Sequence, residues 1–405
     1  MLPSSPAHEG AVAGRRDRNE LFRFALLWVI GANLRMAVLA LPPVLPQVQH
    51  ELGLSETAVG ALTSLPVLLL ALAAVLGSIA VARLGPRLAL VVGLLVVGAA
   101  SGARGLGGTA GLFGASVALG LGIAVLQPTM PSIARTWFPA RVAFATSLYS
   151  NGIVVGEALA SSLTLALVVP LTGSWQGALA AWGVPAFVAA ALLASRFAHV
   201  PARVSDEPLR WWPAWTDAVT WRAGLLQGGA SVVYFGTNAF LATQLHAVGH
   251  PALVGPCLAA LNTSQLAGSF IVGYAARRGA RPHYLLAVAA AFAVVGLAGI
   301  VFAPGPLAVV GSAVVGICSA VGFIVSLALP ALLAGHDDVH RLAAGMSGIG
   351  YLLAFVFPLL GGALWQVTGD PGVAFIPAVM GACLFGTVMF WPGESIRVRL
   401  AIRIQ

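Results

Sequence analysis

The chain has 405 residues, of which 59% are hydrophobic and only 8% are charged, and its mean hydropathy is +0.93. Soluble domains carry about a quarter charged residues, so this composition excludes a soluble enzyme. A formal net charge of +8 would indicate a nucleic-acid-binding protein if the chain were soluble. Here the placement of the arginines along the chain explains the charge better, and we expect no nucleic-acid partner.

Apolar segments recur along the whole chain, separated by arginines and by turns that contain proline or glycine. A membrane-spanning helix needs about 20 apolar residues, so a chain of this length accommodates roughly a dozen spans. We therefore predict an all-α membrane protein in contact with the lipid bilayer, with tails at 1–20 and 392–405. The twelve predicted spans are 21–46, 57–81, 88–105, 109–133, 141–169, 176–197, 222–247, 252–275, 284–303, 306–333, 342–368 and 372–391.

The arginines fall on one side of this predicted topology. All 21 basic residues are arginine, and nineteen of them lie in or beside cytoplasmic segments if the N-terminus is cytoplasmic. This is the positive-inside pattern of membrane proteins, and it places the C-terminus in the cytoplasm as well. The two exceptions are Arg104, near the outer end of span 3, and Arg35, which lies inside span 1.

The longest polar connection, residues 199–221, divides the chain into two parts of six predicted spans each. We call residues 21–198 the first half and residues 222–391 the second half. The tryptophans of the connection are typical of a segment at the level of the lipid headgroups, with a docking site for a partner protein as the alternative. The connection therefore predicts two six-helix bundles joined by a cytoplasmic linker.

The two halves share the pattern A-R-x-G-x-R after their second span. A second match, at the start of spans 5 and 11, occurs in the same order. Two matches in corresponding places indicate a duplicated six-helix unit, and a parallel duplication places the substrate site between the halves near the midplane. The glycines and arginines of the shared pattern are Arg83, Gly85 and Arg87 in the first half, and Arg277, Gly279 and Arg281 in the second.

The first of these loops resembles the loop motif G-x-L-A-D-R-x-G-R-R of the major facilitator superfamily, and the resemblance extends over the whole chain. Arg83, Gly85 and Arg87 fit the motif, whereas Ala82 stands at its acidic position and Pro86 at its ninth. The resemblance implies two pseudo-symmetric bundles, alternating access, and a gating role for both loops. The missing acid removes part of the charge network that stabilises the outward-facing state in the family.

Several segments resemble the cyanate porter branch of the superfamily, which also contains 2-nitroimidazole exporters. They are Asn33 to Arg35, Gly53 to Ser55, Leu65 to Val67, Gly122 to Pro131 with Phe138-Pro139, and Ser347-Gly348 with Gly350 to Ala354. One departure is Gln127, where the branch pattern leads us to expect asparagine. Spans 1, 4, 5 and 11 line the cavity in the superfamily, which adds Asn33, Gln127, Asn151 and Tyr351 to the substrate-binding candidates.

Arg35 has no predicted loop in which to lie. Its position about 12 to 14 residues into span 1 puts it roughly 20 Å along the helix axis. A charge near the bilayer centre costs about 2.5–3.5 kcal/mol, which an acidic partner or an anionic substrate would offset. The planar guanidinium suits a carboxylate or a small oxyanion, so we predict that Arg35 binds substrate, with a permanent ion pair to a glutamate as the alternative.

Glu157 is the acid that lies well inside a span, about 16 residues and roughly 24 Å beyond Arg141. Burial and a nearby arginine act in opposite directions on such a carboxylate, so it could bind and release a proton during transport. We predict that Glu157 is the proton-coupling residue, with a structural counter-charge as the alternative.

Two further spans carry polar stripes. Tyr234 and Asn238 share one face of span 7, and Asn262 and Gln265 share one face of span 8. Polar groups at membrane depth face a cavity or another helix, and we predict that these four side chains line the substrate cavity.

The predicted function is secondary active transport of a small anion, coupled to protons, across the bacterial inner membrane by a monomer. The alternative is a drug or nitroimidazole efflux pump of the same fold, for which a mostly apolar cavity would serve. No Walker A motif appears, so ATP is not the direct energy source. The three cysteines have no metal-ligand spacing and no catalytic motif lies in a span, so we expect no metal, no cofactor and no enzyme activity.

Overall fold

The computed structural model describes residues 6–194, 211–303, 305–335 and 338–390, and the regular structure within these ranges is helical. Most of the linker and the C-terminal tail lie outside the described residues, whereas α1 begins inside the predicted N-terminal tail. The α-helices are α1 (Pro6–Leu39), α2 (Leu41–Leu52), α3 (Glu56–Leu72), α4 (Ala74–Ala103), α5 (Gly108–Trp137), α6 (Val142–Leu163), α7 (Val169–Thr172), α8 (Trp175–Ala181), α9 (Val184–Ala194), α10 (Ala218–Ala247), α11 (Val254–Thr263), α12 (Gln265–Arg277), α13 (Pro282–Phe302), α14 (Pro306–Leu333), α15 (Val339–Thr368) and α16 (Ile376–Thr387). Short 3₁₀ or π turns are Thr164–Val168, Pro251–Leu253, Pro371–Phe375 and Val388–Phe390.

Nine helical stretches of the described chain are long and apolar enough to cross a membrane. They coincide with every predicted span except the second, seventh and eighth. The second is divided between α3 and α4, and the eighth between α11 and α12, so neither forms one long helix. The seventh, α10, is long enough, but its polar face lowers its hydropathy. A count of twelve spans therefore stays a prediction.

The first predicted span is interrupted near its C-terminal end. α1 ends at Leu39 and α2 begins at Leu41. Pro42 and Pro43 have no N–H to donate to the carbonyl groups of Val38 and Leu39, so the helical hydrogen-bond ladder cannot continue through this point. The part of the span that carries Arg35 is thus separate from α2.

The boundary between predicted spans 2 and 3 is a break inside α4. Gly85 has φ 75° and ψ 162°, a backbone conformation that residues with a Cβ rarely adopt. Gly279, which occupies the matching place in the second half, has a φ of 64° and follows the end of α12. Both copies of the A-R-x-G-x-R pattern therefore place their glycine at a turn between two helices.

Close contact between α1 and α6 positions the two charged candidates of the first half. A Cβ added to Gly152 would lie 2.3 Å from the carbonyl oxygen of Trp28, and one added to Gly156 would lie 2.3 Å from that of Ala32. Only glycine permits such an approach, which is the usual way in which membrane helices pack tightly. Arg35 follows on α1 and Glu157 on α6, so the glycine contacts fix both side chains relative to each other.

The helices pack in corresponding pairs in the two halves. α1 lies against α6 and α4 against α5, as α10 lies against α15 and α13 against α14. Between the halves, α15 contacts α3 and α4, and α12 contacts α6. The interface between the halves therefore runs along helices that carry the predicted site residues.

Arginine side chains tie helix ends together at one end of the bundle, which we call the arginine-rich end. There Arg141 forms an ion pair with Glu20 at 3.0 Å, and the Arg277 guanidinium carbon lies 6.0 Å from the centre of the Phe144 ring. The other arginines with described contacts at this end are Arg87, Arg135 and Arg341.

Candidate functional site

A cavity of about 490 Å³ lies between the two halves of the chain. The first half contributes α1 and α6 to its wall, and the second half contributes α10, α12 and α14. Its polar lining is Arg35, Ser150, Glu157, Ser231, Tyr234, Gln265 and Ser319, and its apolar lining includes Phe235 and Phe323.

Arg35 is half-buried in the cavity wall. Its guanidinium carbon lies 5.8 Å from the centre of the Phe235 ring, a distance at which a cation and an aromatic face attract each other. It also interacts with the hydroxyl group of Tyr351 and, at longer range, with Glu157. Across the described ranges Arg35 forms no ion pair, so its positive charge is available to the cavity.

Glu157 reaches across the cavity to the second half. Its Oε1 lies 2.6 Å from the hydroxyl oxygen of Tyr234, which in turn lies 2.7 Å from Oδ1 of Asn262. The amide of Asn262 donates to the backbone carbonyl of Leu258 at 2.8 Å. The predicted proton-coupling residue and two of the predicted cavity residues thus form one chain of polar contacts.

Asn238 and Gln265 lie beside this chain. The Asn238 amide donates to the backbone carbonyl of Tyr234 at 3.0 Å, and its oxygen lies 3.5 Å from Nδ2 of Asn262. Gln265 lines the cavity and donates to the backbone carbonyl of Asn262 at 3.4 Å. Asn238 therefore supports the wall, whereas Gln265 forms part of it.

Tyr351 and Gln127 join the halves on the side of the cavity that faces the arginine-rich end. The Gln127 amide donates to the Tyr351 hydroxyl oxygen at 2.8 Å, and both side chains are buried. Tyr351 also interacts with Arg35. The contact between Gln127 and Tyr351 is therefore linked directly to the positively charged residue of the cavity wall.

Asn33 and Asn151 make contacts away from the cavity wall. The Asn33 amide donates to the carbonyl of Val29 on its own helix at 2.8 Å. Asn151 accepts from the Trp28 indole at 3.0 Å and donates to the Ser269 hydroxyl at 2.9 Å. Asn33 thus lies within the first half, and Asn151 lies at the contact between α6 and α12.

The predicted gating residues lie at the arginine-rich end. Arg87 donates to the backbone carbonyls of Leu193 and Ala194 at 3.0 and 2.8 Å, which joins the start of the third predicted span to the end of the sixth. The others are exposed or partly exposed at turns: Arg83, Gly85, Arg277, Gly279 and Arg281.

Sequence reasoning did not find the contribution of α14, which brings Ser319 and Phe323 to the cavity. This helix is apolar along most of its length and has no polar stripe that would have marked it. Ser150 and Ser231, by contrast, belong to polar faces visible in the sequence. Their hydroxyl groups are buried at the cavity without a described hydrogen-bond partner.

Arg104, the second exception to the arginine pattern, is buried in the first half with 1% of its surface exposed. Its Nη1 donates to the backbone carbonyl of Ala37 at 2.6 Å and its Nε to the Ser116 hydroxyl at 3.2 Å. A cation at the C-terminal end of a helix is stabilised by up to about 2 kcal/mol when it is partly buried. Arg104 therefore holds the end of α1, two residues beyond Arg35.

Among the described residues, no group of His, Cys, Asp or Glu side chains could hold a metal ion. The cavity offers one cation, one carboxyl group and several neutral donors to a solute. Such a set can bind and orient a small polar molecule.

Residues 27–247 match the profile of the Major Facilitator Superfamily. The cyanate transport protein CynX of Escherichia coli (strain K12) is 30% identical over 362 residues, which cover 85% of this chain and 90% of that protein. The 2-nitroimidazole transporter of the same organism is 27% identical over 378 residues, which cover 91% of this chain and 95% of that protein.

The crystal structure of the E. coli fucose:proton symporter FucP superposes with a TM-score of 0.72 at 15% identity, covering 93% of this chain and 100% of that chain. At this identity the likeness concerns the fold. The all-helical architecture and the match over more than half of the chain agree with the resemblance seen in the sequence. The chain belongs to the major facilitator superfamily of membrane transporters, and its similarity includes the cyanate and 2-nitroimidazole transporters.

Proposed function

We propose that this protein is a secondary active transporter that carries a small anion across the bacterial inner membrane by alternating access, with Arg35 as the anion ligand. The observation that carries the proposal is the state of Arg35, which faces the cavity between the halves and has no ion pair in the described part of the chain. A charge at membrane depth costs about 2.5–3.5 kcal/mol, and an anion bound in the cavity would offset that cost.

The lining of the cavity supports a small, polar substrate. The guanidinium fork can bind two oxygens or an oxygen and a nitrogen of a planar anion. Ser150 and Ser231 offer unpartnered hydroxyl groups, and Gln265 offers an amide. One relative is named for the transport of cyanate, which is an anion of three atoms.

The topology we propose has twelve spans and both termini in the cytoplasm. The nine long apolar helices supply nine spans. α3 with the start of α4, α10, and α11 with α12 supply the other three. Nineteen of the 21 arginines then lie on the cytoplasmic side, as the positive-inside rule requires, and the arginine-rich end of the bundle is the cytoplasmic end.

Two six-helix bundles that rock about the cavity would provide alternating access. The matching helix pairs of the two halves and the positive φ of both Gly85 and Gly279 support a duplicated unit. The hydrogen bond between Gln127 and Tyr351 lies between the cavity and the cytoplasmic end. In this proposal the bond helps to close the cytoplasmic end in the described conformation.

Coupling to protons through Glu157 is the finer part of the proposal. The carboxyl group shares the cavity with Arg35 and contacts the second half through Tyr234. A group in this position can change charge when the cavity changes the side to which it opens. The protein acts as a monomer in this proposal.

Efflux of a nitroimidazole-type compound is the alternative. The relative named as a 2-nitroimidazole transporter and the apolar part of the wall, Phe235 and Phe323, favour it. In this case Arg35 would contact a nitro group, which bears oxygens without a full negative charge.

Uptake into proteoliposomes tests the proposal. The purified protein is assayed with small monovalent anions (cyanate, nitrate and formate) and with 2-nitroimidazole, and wild type is compared with Arg35→Ala and Arg35→Lys. A charge-assisted hydrogen bond contributes about 1.5–3 kcal/mol, so Arg35→Ala should raise KM for the transported anion by about tenfold to a hundredfold.

Arg35→Lys should recover part of the affinity, because it keeps the charge and loses the fork. Arg278→Gln serves as the matched control, since Arg278 is an exposed arginine beside Tyr274 and lies far from the cavity. Anion uptake by Arg35→Ala with an unchanged KM would show that Arg35 is not the ligand. Transport of 2-nitroimidazole alone would favour the alternative.

A further inference from the structure

The polar faces of α6 and α10 continue past the cavity toward the arginine-rich end. Thr146 lies one turn before Ser150 on α6, and Gln227 lies one turn before Ser231 on α10. Residues four apart are neighbours on one face of a helix, and both serines line the cavity. The wall that each half contributes therefore remains polar for a further turn beyond the cavity.

The side chains of this continuation are buried and unpaired. Thr146 and Gln227 are 0% exposed, and Tyr149, next to Ser150, is 1% exposed. Within the described part of the chain, four polar atoms of these residues have no hydrogen-bond partner: the Thr146 and Tyr149 hydroxyl oxygens and both amide atoms of Gln227. Buried polar groups in proteins are nearly always hydrogen-bonded, and those that are not need an explanation. A ligand that binds in another arrangement of the halves would supply one.

Other polar side chains of the membrane helices do have partners. The Thr129 and Thr237 hydroxyl groups each donate at 2.6 Å to the carbonyl group four residues earlier on their own helices. The Asn262 amide forms the same kind of bond at 2.8 Å. In the described chain Thr146 and Gln227 form no such bond, so their unpaired state is a local feature rather than a general property of the helices.

The hydroxyl group of Tyr351 connects these residues to Arg35. Arg35 and Gln227 both lie close to that hydroxyl, the latter without forming a hydrogen bond. Tyr149 lies close to Thr146 and interacts with Tyr351 across the two halves. We call Thr146, Tyr149, Gln227 and Tyr351 the hydroxyl–amide cluster. The first half contributes Thr146 and Tyr149, and the second half contributes the other two.

We infer that the hydroxyl–amide cluster is a second, uncharged binding site for the transported anion, which the anion reaches from Arg35 when the halves rock and the arginine-rich end opens. Hydroxyl groups and the amide nitrogen are hydrogen-bond donors, so the cluster can replace water around a small anion such as cyanate. The inference rests on the proposed function, because it takes Arg35 as the anion ligand and the arginine-rich end as the cytoplasmic end.

The absence of a charged side chain from the cluster determines its role. A hydrogen bond in which one partner is charged on the protein side is roughly twice as strong as one between neutral groups. The anion therefore binds more weakly at the cluster than at Arg35 and leaves it more readily. Arg35 provides affinity, and the cluster provides donors to an anion that has left Arg35 and has not yet reached water.

Kinetics measured from the two faces of the membrane test the second site. Exchange of cyanate, nitrate and formate is measured in right-side-out and inverted vesicles that contain wild type, Thr146→Val, Tyr149→Phe or Gln227→Leu. Each variant should raise KM at the cytoplasmic face by about twofold to tenfold, the effect of losing one neutral hydrogen bond. KM at the outer face should stay within about twofold of the wild-type value, whereas Arg35→Ala should raise KM at both faces.

Two matched controls are available in the chain. Thr237→Val is the control for Thr146→Val, because Thr237 is equally buried but donates to a carbonyl of its own helix. Tyr284→Phe is the control for Tyr149→Phe, since Tyr284 is exposed on α13. Neither control should change KM at either face. Equal increases at both faces in the cluster variants, or no increase in any of them, would overturn the inference.

Thermal unfolding distinguishes a binding role from a structural one. Removal of a buried polar group that has no partner leaves stability unchanged or raises it, whereas removal of a bonded group lowers it. Thr146→Val and Gln227→Leu should therefore unfold at the wild-type temperature or above it. A lower unfolding temperature in both variants would mean that these side chains have structural partners, and the inference would be wrong.

The same measurements separate this inference from the proposed function. If Arg35→Ala raises KM while the cluster variants leave KM at the cytoplasmic face unchanged, the second site is refuted and Arg35 remains the ligand. If Arg35→Ala leaves KM unchanged for every transported anion, or if none of the three anions is transported, the proposed function itself is refuted.

Discussion

The interface between the two halves is built differently around the cavity and toward the arginine-rich end. Around the cavity, the hydrogen bond from Tyr234 to Glu157 crosses between the halves, and Arg35 of the first half interacts with the Tyr351 hydroxyl of the second. Toward the arginine-rich end the crossing bonds are several; one runs from the Arg135 guanidinium to the Ala334 carbonyl, and the others join neutral groups. The Ser147 hydroxyl donates to the Ser269 carbonyl at 2.9 Å, and the Asn151 amide donates to the Ser269 hydroxyl at 2.9 Å.

This difference separates two tasks. A neutral hydrogen bond contributes about 0.5–1.5 kcal/mol, so the bonds at the arginine-rich end can hold the halves together and still break when the halves rock. The cavity has few hydrogen bonds between the halves, but it contains a basic residue, Arg35, and an acidic residue, Glu157. In the proposed cycle, binding in the cavity triggers the rocking of the two halves. The hydrogen bonds at the arginine-rich end stabilise the arrangement that exists before the halves rock.

A disulfide across the arginine-rich end should have the largest effect. A Cβ at Gly273 would lie 3.8 Å from the Cβ of Ser147, within the range of about 3.5–4.5 Å found in disulfides. In a Cys383→Ser background, oxidised Ser147→Cys/Gly273→Cys should lose more than nine-tenths of its anion uptake, and a reductant should restore it. Each single variant, treated with the same oxidant, is the control. Undiminished uptake by the cross-linked protein would show that this contact does not open during transport.

Loss of the bond below the cavity should have an intermediate effect. Gln127→Leu removes the hydrogen bond to Tyr351, and a loss of about 0.5–1.5 kcal/mol favours opening of the arginine-rich end by roughly two- to tenfold. The measurement is the rate at which a charged maleimide alkylates Ser147→Cys in inverted vesicles. Thr136→Val is the control, since Thr136 donates only to Ser132 on its own helix. A slower alkylation in Gln127→Leu would contradict the assignment of the bond to the closed arrangement.

The contact between the first half and the segment after the linker should have the smallest effect. The Ser78 hydroxyl donates to the carbonyl of Trp211, while Arg341 donates to the next carbonyl, that of Trp212, at 2.7 Å. Because Arg341 continues to hold the segment, Ser78→Ala should raise the same alkylation rate by twofold or less. An increase above tenfold would mean that this segment, rather than the helices, keeps the arginine-rich end closed.

The sequence predicts the parts of the site whose chemistry is unusual at membrane depth. Arg35, Glu157 and Tyr234 are rare residue types inside apolar spans, and the structure brings all three to one cavity. Ser319 was missed because a serine in an apolar helix has many possible partners. The Asn33 amide donates to a backbone carbonyl group of its own helix. No sequence pattern distinguishes this contact from a contact with the cavity.

The architecture was predictable to a similar extent. Long apolar helices and the glycine turns of the repeated motif follow from composition and from the conformational range of glycine. The interruption between α3 and α4 and the contacts of Trp211 and Trp212 could not be predicted. The contacts of Trp211 and Trp212 are made by backbone carbonyl groups. Because every residue has such a group, no residue type in the sequence predicts these contacts.

The break after α1 has a consequence for how such a protein can diverge. Arg104 secures the carbonyl of Ala37, and the glycine contacts with α6 secure the helix that carries Arg35. α2, whose first turn contains Pro42 and Pro43, is held by neither. We therefore expect substitutions in Leu41–Leu52 to alter how quickly solutes enter, and substitutions in α1 to alter which solutes are retained. The rate of solute entry and the choice of solute then depend on different parts of one predicted span. Homologues can therefore differ in one of these properties while keeping the other.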